Sequence, residues 1–352
     1  MKALVVLDER WDSALTDLGI KVGLSLSCQV GFAVLKDRPA HRKLEGRGFP
    51  IFFIEDPRKG FPLRAFLSLK RAIRDFSPQV VVTIRGDEML FASLLKSSFG
   101  YSLYRIHGEQ KGIRDSFLNR FIHRKFVDGV VVSSKRLLNP VVDGLRKLII
   151  PGLVDTERFY PDAEGAERFR REIGAGSRKL IGVVGRLDPV KGHGLFLEAL
   201  SKLRRNDYLA VVVGEEKNVK VKQLMEVARR LKIMDRVRFI TRRVDNIRAV
   251  MSACDLGVIP SKGSEVILRV PLEFMACGTA IVSTGVGALP EVVRPPFGLT
   301  VPPSSEALAG AINSFLDMNL KELGRAAREV AVENYSIGAN ASAIDRFICC
   351  RL

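Results

Sequence analysis

The sequence predicts an α/β chain of two doubly wound parallel sheets, on three observations. Short runs rich in Val and Ile alternate with amphipathic stretches from end to end. That alternation produces parallel strands covered by helices on both faces. It is interrupted at Pro151-Gly152 and the following Asp155-Thr-Glu-Arg-Phe-Tyr-Pro161, which reads as a connection. The 352 residues suffice for two domains of ordinary size.

In the first half, residues 1–150, strands are expected at 3–7, 32–35, 51–54, 80–84, 103–106, 129–132 and 148–150. Each is an apolar run bounded by polar or turn residues, interrupted inside only by Thr83 in 80–84 and Arg105 in 103–106. Helices are expected between them, at 62–76, 87–97, 115–126 and 135–145. The second half repeats the pattern. Strands fall at 180–184, 209–213, 237–240, 256–259, 280–283 and 299–301, and helices at 192–205, 219–231, 247–253, 271–276 and 306–315. Helical stretches at 319–334 and 338–350 finish the chain. Ligands of such sheets bind beyond the carboxyl ends of the strands.

Composition narrows the partners. The net charge is +17, with 26 Lys and Arg against 15 Asp and Glu in residues 1–150; that half carries +11 and the rest +6. A basic first half suits nucleic acid, anionic lipid or an acidic substrate. No apolar run reaches the length of a membrane span. The start, MKALVVLDER, turns polar too soon for a signal peptide and reads as a strand. Cys28, Cys254, Cys277, Cys349 and Cys350 show no metal or disulfide spacing, which fits a reducing cytoplasm.

Chemistry concentrates in 261–287, SKGSEVILRVPLEFMACGTAIVSTGVG. Pro271 suits the first position of a helix, Glu273 its first turn, and Gly278 its end. Glu265 precedes Glu273 by eight residues; on one helix they would stand about 80° and about 12 Å apart. With Glu265 in the loop and Glu273 at the helix start, both point into one crevice, with outward backbone amides between them. The blander alternative makes Glu273 a dipole-complementing residue and Glu265 a solvated acid. A second stretch runs Gly182-Val-Val-Gly185-Arg186-Leu-Asp-Pro-Val-Lys191-Gly192-His193. A strand ending at Gly185, a guanidinium fork, a mobile ammonium and a helix start together suit a diphosphate.

Glu265-x7-Glu273 with Phe-Met-Ala-Cys-Gly, then Gly285-Val-Gly-Ala-Leu-Pro-Glu291, resembles the donor-site motif of retaining GT-B glycosyltransferases of the GT4 type. Gly185-Arg186-Leu-x-x-x-Lys191-Gly192 resembles the same family's phosphate motif, and the likeness spans 148 to about 335. Two departures stand out. Val266-Ile267-Leu268-Arg269 replaces Gly-Phe-Gly, with larger side chains expected to narrow the sugar pocket, and Gly152-Leu153 replaces Asn-Gly at the hinge.

The resemblance implies two facing Rossmann-like domains with a cleft between them. Residues 1–150 would bind acceptor, 151–337 would bind donor, and 338–352 would form a helix crossing back to the first domain. It implies that Gly185, Arg186 and Lys191 hold the diphosphate, Glu265 the sugar hydroxyls and Glu273 the ribose. Ile267, Leu268, Arg269 and Val270 would line the donor pocket. Arg242, in Thr241-Arg242-Arg243, would lie near the nucleobase, and His107, in Tyr104-Arg-Ile-His107-Gly108, beside the reacting sugar. The family's Gly-Gly turn after the first strand is absent; Leu7-Asp8-Glu9-Arg10-Trp11 stands there. No Asp-x-Asp occurs, so neither a metal nor another cofactor is expected.

The implied function is transfer of a sugar, with retention, from a nucleotide-diphosphate sugar to a hydroxyl of a cell-envelope glycan or glycolipid such as lipopolysaccharide core. The rivals are a nucleotide-sugar epimerase of the same fold and a basic nucleic-acid-binding protein. The epimerase needs acid/base residues for which only His107 offers itself. Nucleic-acid binding leaves both phosphate motifs unexplained and has no stacking motif behind it, so no nucleic acid is expected as partner. Basic amphipathic stretches at 64–74 and 114–126 add an anionic membrane surface as a partner, for a cytoplasmic protein peripheral on the membrane's inner face.

Overall fold

A computed structural model describes residues 1–58, 62–242 and 244–350. The chain divides into two units, Met1–Leu153 with Ile337–Leu352, and Val154–Ser336. The first unit has seven strands, β1 (Lys2–Leu7), β2 (Gln29–Leu35), β3 (Ile51–Ile54), β4 (Val80–Thr83), β5 (Ser102–His107), β6 (Gly129–Val132) and β7 (Arg146–Ile149). They form one sheet in the order β3-β2-β1-β4-β5-β6-β7, with every pairing parallel. Its helices are α1 (Ala14–Leu24), α2 (Pro39–Leu44), α3 (Pro62–Phe76), α4 (Gly86–Phe99) and α5 (Phe117–Phe126). Leu4, Val6, Val81, Leu103 and Val130 pack with Leu69, Ile73 and Phe76 of α3 in one core.

The expected helix over 135–145 is a correction. Two 3₁₀ turns, Lys135–Leu137 and Pro140–Val142, stand there instead. Pro140 disfavours helical backbone at Asn139. The side chains of Ser134 and Asn139 accept from the amides of Arg136 and Val141, so each short turn has its own cap. In the other direction, the periodicity missed α1. Its buried positions include Leu15, Leu18, Ile20 and Val22, too wide a spread for a stripe. The readable signal was its cap, Ser13, which accepts from the Thr16 amide at 3.0 Å.

The second unit has six strands, β8 (Lys179–Val184), β9 (Tyr208–Val213), β10 (Val237–Ile240), β11 (Leu256–Ile259), β12 (Ala280–Thr284) and β13 (Gly298–Val301). They run parallel in the order β10-β9-β8-β11-β12-β13. Its helices are α6 (Ala163–Glu172), α7 (His193–Ser201), α8 (Val221–Arg230), α9 (Ile247–Ala253), α10 (Val270–Ala276), α11 (Leu289–Val292), α12 (Ser305–Leu316) and α13 (Leu320–Val330). The stretch expected as one helix over 319–334 is α13 followed by a π turn, Ala331–Tyr335. The last helix, α14 (Ile337–Cys349), belongs to the first unit. Its Asp345 accepts from the backbone and hydroxyl of Ser27, both at 2.9 Å.

Strand order reverses direction between β1 and β4 in one sheet and between β8 and β11 in the other. At such switch points, loops from the carboxyl ends diverge and leave a crevice. Helix α10 is seated over the second of these by Phe274, which is fully buried. A Cβ on Gly257 of β11 would lie 3.0 Å from the Phe274 ring. Glycine at that strand position therefore makes the flat floor on which the ring lies. Phe274→Ala is expected to lose about 3–5 kcal/mol of stability, measured by urea unfolding, and α10 should lose its seat with it.

Candidate active site

Three loops of the second unit are tied together at its switch point. The β8–α7 loop passes through a 3₁₀ turn, Pro189–Lys191, capped by Asp188, whose side chain accepts from the Val190 amide. Lys191 therefore precedes α7 and does not begin it. Gly192 follows with φ +71°, and a Cβ there would lie 1.8 Å from the carbonyl oxygen of Pro260. Only glycine permits that approach. The Lys262 amide then donates to the Val190 carbonyl at 2.8 Å, joining the loops after β8 and β11. The loop after β12 closes on the same place: the Ala288 amide donates to the Glu265 carbonyl at 2.6 Å, and Thr284 Oγ1 donates to the Ser261 carbonyl at 2.5 Å. At Gly287, φ +59°, a Cβ would lie 2.0 Å from that Glu265 oxygen.

Glu265 sits at the centre of this tie and is only 5% exposed. Its Oε1 accepts from Lys191 Nζ at 2.5 Å and from Ser261 Oγ at 2.6 Å. Ser264, immediately before it, holds φ +63°, a left-handed conformation uncommon outside glycine. The solvated-acid alternative for Glu265 is thereby excluded. Arg186 is exposed and lies 3.6 Å from Asp188. His193 is buried against the backbone of Gly185 and Asp188, and burial pushes its pKa down to about 4, so its imidazole is neutral at pH 7.

Glu273 stands in the first turn of α10, with Val270 in first place and Pro271 second, one residue later than expected for the proline. Its carboxylate lies 3.9 Å from Arg269 Nε, and Arg269 occupies the N-cap position. Ile267 and Val270 are half-buried. Leu268 is fully buried in the core, so its side chain does not narrow a sugar pocket; this corrects the expectation for that residue.

Arg242 lies apart from this cluster, and His107 belongs to the other unit. Arg242 follows β10, the edge strand, two strands from β8. Its side chain, 71% exposed, pairs with Glu172 of α6 at 2.7 Å, a helix that periodicity alone did not predict. Its neighbour Arg243 lies outside the described residues. His107 ends β5 in the first unit and is 1% exposed. Burial, then the charge of Arg105, pushes its pKa down to about 3, so it is a neutral imidazole. Arg105 in turn meets His123 Nε2 of α5 at 3.0 Å.

Sequence reasoning passed over a group of charges at the first unit's switch point. Where the family's Gly-Gly turn was missing, Asp8 and Glu9 are buried at the end of β1. Asp8 lies 3.6 Å from Arg58 and 3.7 Å from Arg85. Glu9 accepts from Arg85 at 3.1 Å and from Thr16 at 2.6 Å. Glu88 of α4 accepts from the amides of Ile84 and Arg85 and faces Asp8. Burial pushes Asp8 up to about 6 against the pull of Arg58 and Arg85, and holds Glu88 well above the carboxylate range. An acid whose pKa is higher folded than unfolded binds its proton more tightly in the native state. Its contribution to stability therefore falls as pH rises from about 4 to about 6. Asp8→Asn removes that fall. Between pH 4 and pH 7 the stability difference between variant and wild type is expected to move in the variant's favour by roughly 2–3 kcal/mol, read from urea midpoints at the two pH values.

Comparison with known proteins bears on the second unit first. Residues 166–331 match the family described as Glycosyl transferases group 1. The D-inositol 3-phosphate glycosyltransferase of Corynebacterium jeikeium is 32% identical over 199 residues, 51% of this chain and 47% of that protein. The lipopolysaccharide core biosynthesis mannosyltransferase LpsB of Rhizobium meliloti is 29% identical over 272 residues, 74% of this chain and 76% of that one. Against the Corynebacterium relative the chain thus spans about half the curated length. Among solved structures, Anabaena HepE in complex with UDP superposes with a TM-score of 0.83 at 20% identity, covering 98% of each chain. WaaG, described as a glycosyltransferase involved in lipopolysaccharide biosynthesis, superposes at 0.65 and 16% identity over 99% of this chain and 100% of its own. Those two likenesses concern the fold. With a family match across residues 166–331, in the unit that holds the Lys191–Glu265 cluster, and two parallel α/β sheets superposing along nearly the whole chain, the second unit is similar to the group 1 glycosyl transferases and the chain has the GT-B fold.

Proposed function

We propose that the chain transfers a sugar from a nucleotide-diphosphate sugar to a hydroxyl of a cell-envelope glycan or glycolipid, with retention of configuration. The observation that carries this reading is the meeting of Lys191 and Glu265 across two loops at the switch point of the second sheet, with Arg186 on the same β8 loop. A strand end, two cations and a carboxylate in one crevice suit a diphosphate joined to a polyol. On this reading Gly185, Arg186 and Lys191 take the diphosphate, Glu273 the ribose, and Glu265 the sugar hydroxyls, beside the 267–270 backbone. The diphosphate leaves, the acceptor hydroxyl attacks from the same face, and the leaving phosphate accepts its proton. The first unit takes the acceptor, with neutral His107 as a hydrogen-bonding partner for the sugar. The envelope acceptor is supported by the Rhizobium relative, which acts in lipopolysaccharide core biosynthesis by its name.

Calorimetric titration with uridine, guanosine and adenosine diphosphates tests the donor site. Wild type is expected to bind one of them, and Arg186→Ala to weaken it by about 1.5–3 kcal/mol, the size of a charge-assisted contact. Unchanged affinity in the variant would remove Arg186 from the site.

We also propose a peripheral membrane position, on the inner face of the cytoplasmic membrane. No helix among the described residues is long and apolar enough to cross a membrane. Helices α3 and α5 flank α4, and Phe66 of α3 meets Phe91 of α4 edge to face at 5.8 Å. All three leave large apolar side chains outside, including Leu67, Leu94, Phe117 at 86% exposure, and Phe121. Lys70 and Arg71 are exposed on α3, as are Arg124 and Lys125 on α5. Arg120 is taken up by Asp115 at 2.6 Å and 2.7 Å. Each basic residue near an anionic leaflet contributes about 1 kcal/mol at low salt. Sedimentation with anionic liposomes is expected at low salt, with release at high salt. Charge reversal at Lys70, Arg71, Arg124 and Lys125 is expected to abolish it; equal sedimentation of wild type and variant would make these helices ordinary solvated faces.

A further inference from the structure

We infer that the Lys191–Glu265 ion pair is an exchangeable lock, in which the diphosphate takes Lys191 away from Glu265 and so releases the carboxylate for the sugar. This rests on the donor-site reading above. The two groups assigned to neighbouring parts of one donor hold each other at 2.5 Å. The contact uses the same Glu265 Oε1 that accepts from Ser261 Oγ. With that oxygen occupied twice and the side chain only 6% exposed, Glu265 is poorly placed to receive hydroxyls while the pair holds.

The surroundings decide which partner moves. Glu265 is fixed at its carbonyl by Ala288, at its carboxylate by Ser261, and behind by Gly287. Lys191 is held at its backbone, where its amide donates to the Asp188 carbonyl at 2.9 Å. Its side chain is a flexible stem carrying a point charge, 26% exposed. The ammonium is thus the element free to swing, and a diphosphate offers more negative charge than one carboxylate. Arg186 differs, because its partner Asp188 also accepts from Val190 and Asn218 and so keeps partners when the arginine leaves. The lysine exchange takes from Glu265 the cation it accepts from and leaves it the Ser261 hydroxyl, so the carboxylate gains room for a further donor. Recognition of the sugar then follows recognition of the diphosphate, and a free sugar does not open the site by itself. Binding energy from the phosphates is used to assemble the sugar contact, a form of induced fit.

A double-mutant cycle on the full chain tests this, with uridine, guanosine and adenosine diphosphates as the probes and calorimetry as the readout. If the pair competes with the diphosphate, Glu265→Gln frees Lys191 and the bound nucleotide is held roughly three- to tenfold tighter than by wild type. Lys191→Ala weakens binding, and Glu265→Gln added to it brings no gain. An equal gain in both backgrounds would show plain repulsion between the carboxylate and the phosphates, and would overturn the exchange. Weaker or unchanged binding by Glu265→Gln would make the pair a supporting strut, and would overturn the exchange as well. Failure of wild type to bind any of the three would fell the donor-site reading itself, and the exchange with it. Lys191→Met, which keeps the apolar stem, repeats the cycle if Lys191→Ala unfolds the turn, and melting curves on every variant confirm the fold.

Discussion

The carboxylate of Glu265 is the point on which the second unit's switch-point crevice depends. A carboxylate this buried needs compensation, and it receives both a cation and a hydroxyl. Each partner arrives from a different turn of the backbone, so satisfying one acid fixes the geometry of two loops. A third is brought in by the Glu265 carbonyl, which holds the turn after β12. Glycines at 192 and 287 are required because backbone, not side chain, makes these approaches. The crevice is therefore built from main-chain contacts around one charged pair.

The two sheets share a strand order around their switch points and use them differently. In the second unit the switch point gathers cations near glycine-rich turns. In the first it gathers buried acids, Asp8, Glu9 and Glu88, met by Arg58 and Arg85. Such a cluster pairs most of its charge internally, and burial raises the pKa of Asp8 to about 6, so that this carboxyl takes up its proton in mildly acidic solution. The difference is chemical and not topological: the same crevice carries whichever residues end its strands.

Much of this was legible in the sequence. Parallel strands buried on both faces read as mainly apolar runs, so the thirteen strands of the described residues were found to within three residues at each end. The helix over 62–76 was legible because Ala65, Leu69, Ala72, Ile73 and Phe76 recur at helical spacing. Elements without such a stripe were not: α1 is apolar around most of its surface, and α6 carries six charged residues in ten, with only Ala166 and Phe169 buried. The helix expected over 135–145 failed on a local rule, the restriction that Pro140 places on Asn139.

At the site, the sequence determined which residues carry charge and that they follow strands, because motif spacing and strand ends are local properties. It determined that Glu265 lies in a loop and Glu273 in the first turn of a helix, since eight residues on one helix would have separated them. Only the tertiary structure decided that Lys191 and Glu265, 74 residues apart, meet at 2.5 Å. Only it turned the Leu268 side chain into the core, gave Arg242 to Glu172, and buried Asp8 beside Glu88. Those outcomes depend on which strands become neighbours and how closely their loops approach, and a parallel sheet makes neighbours of strands far apart in the chain.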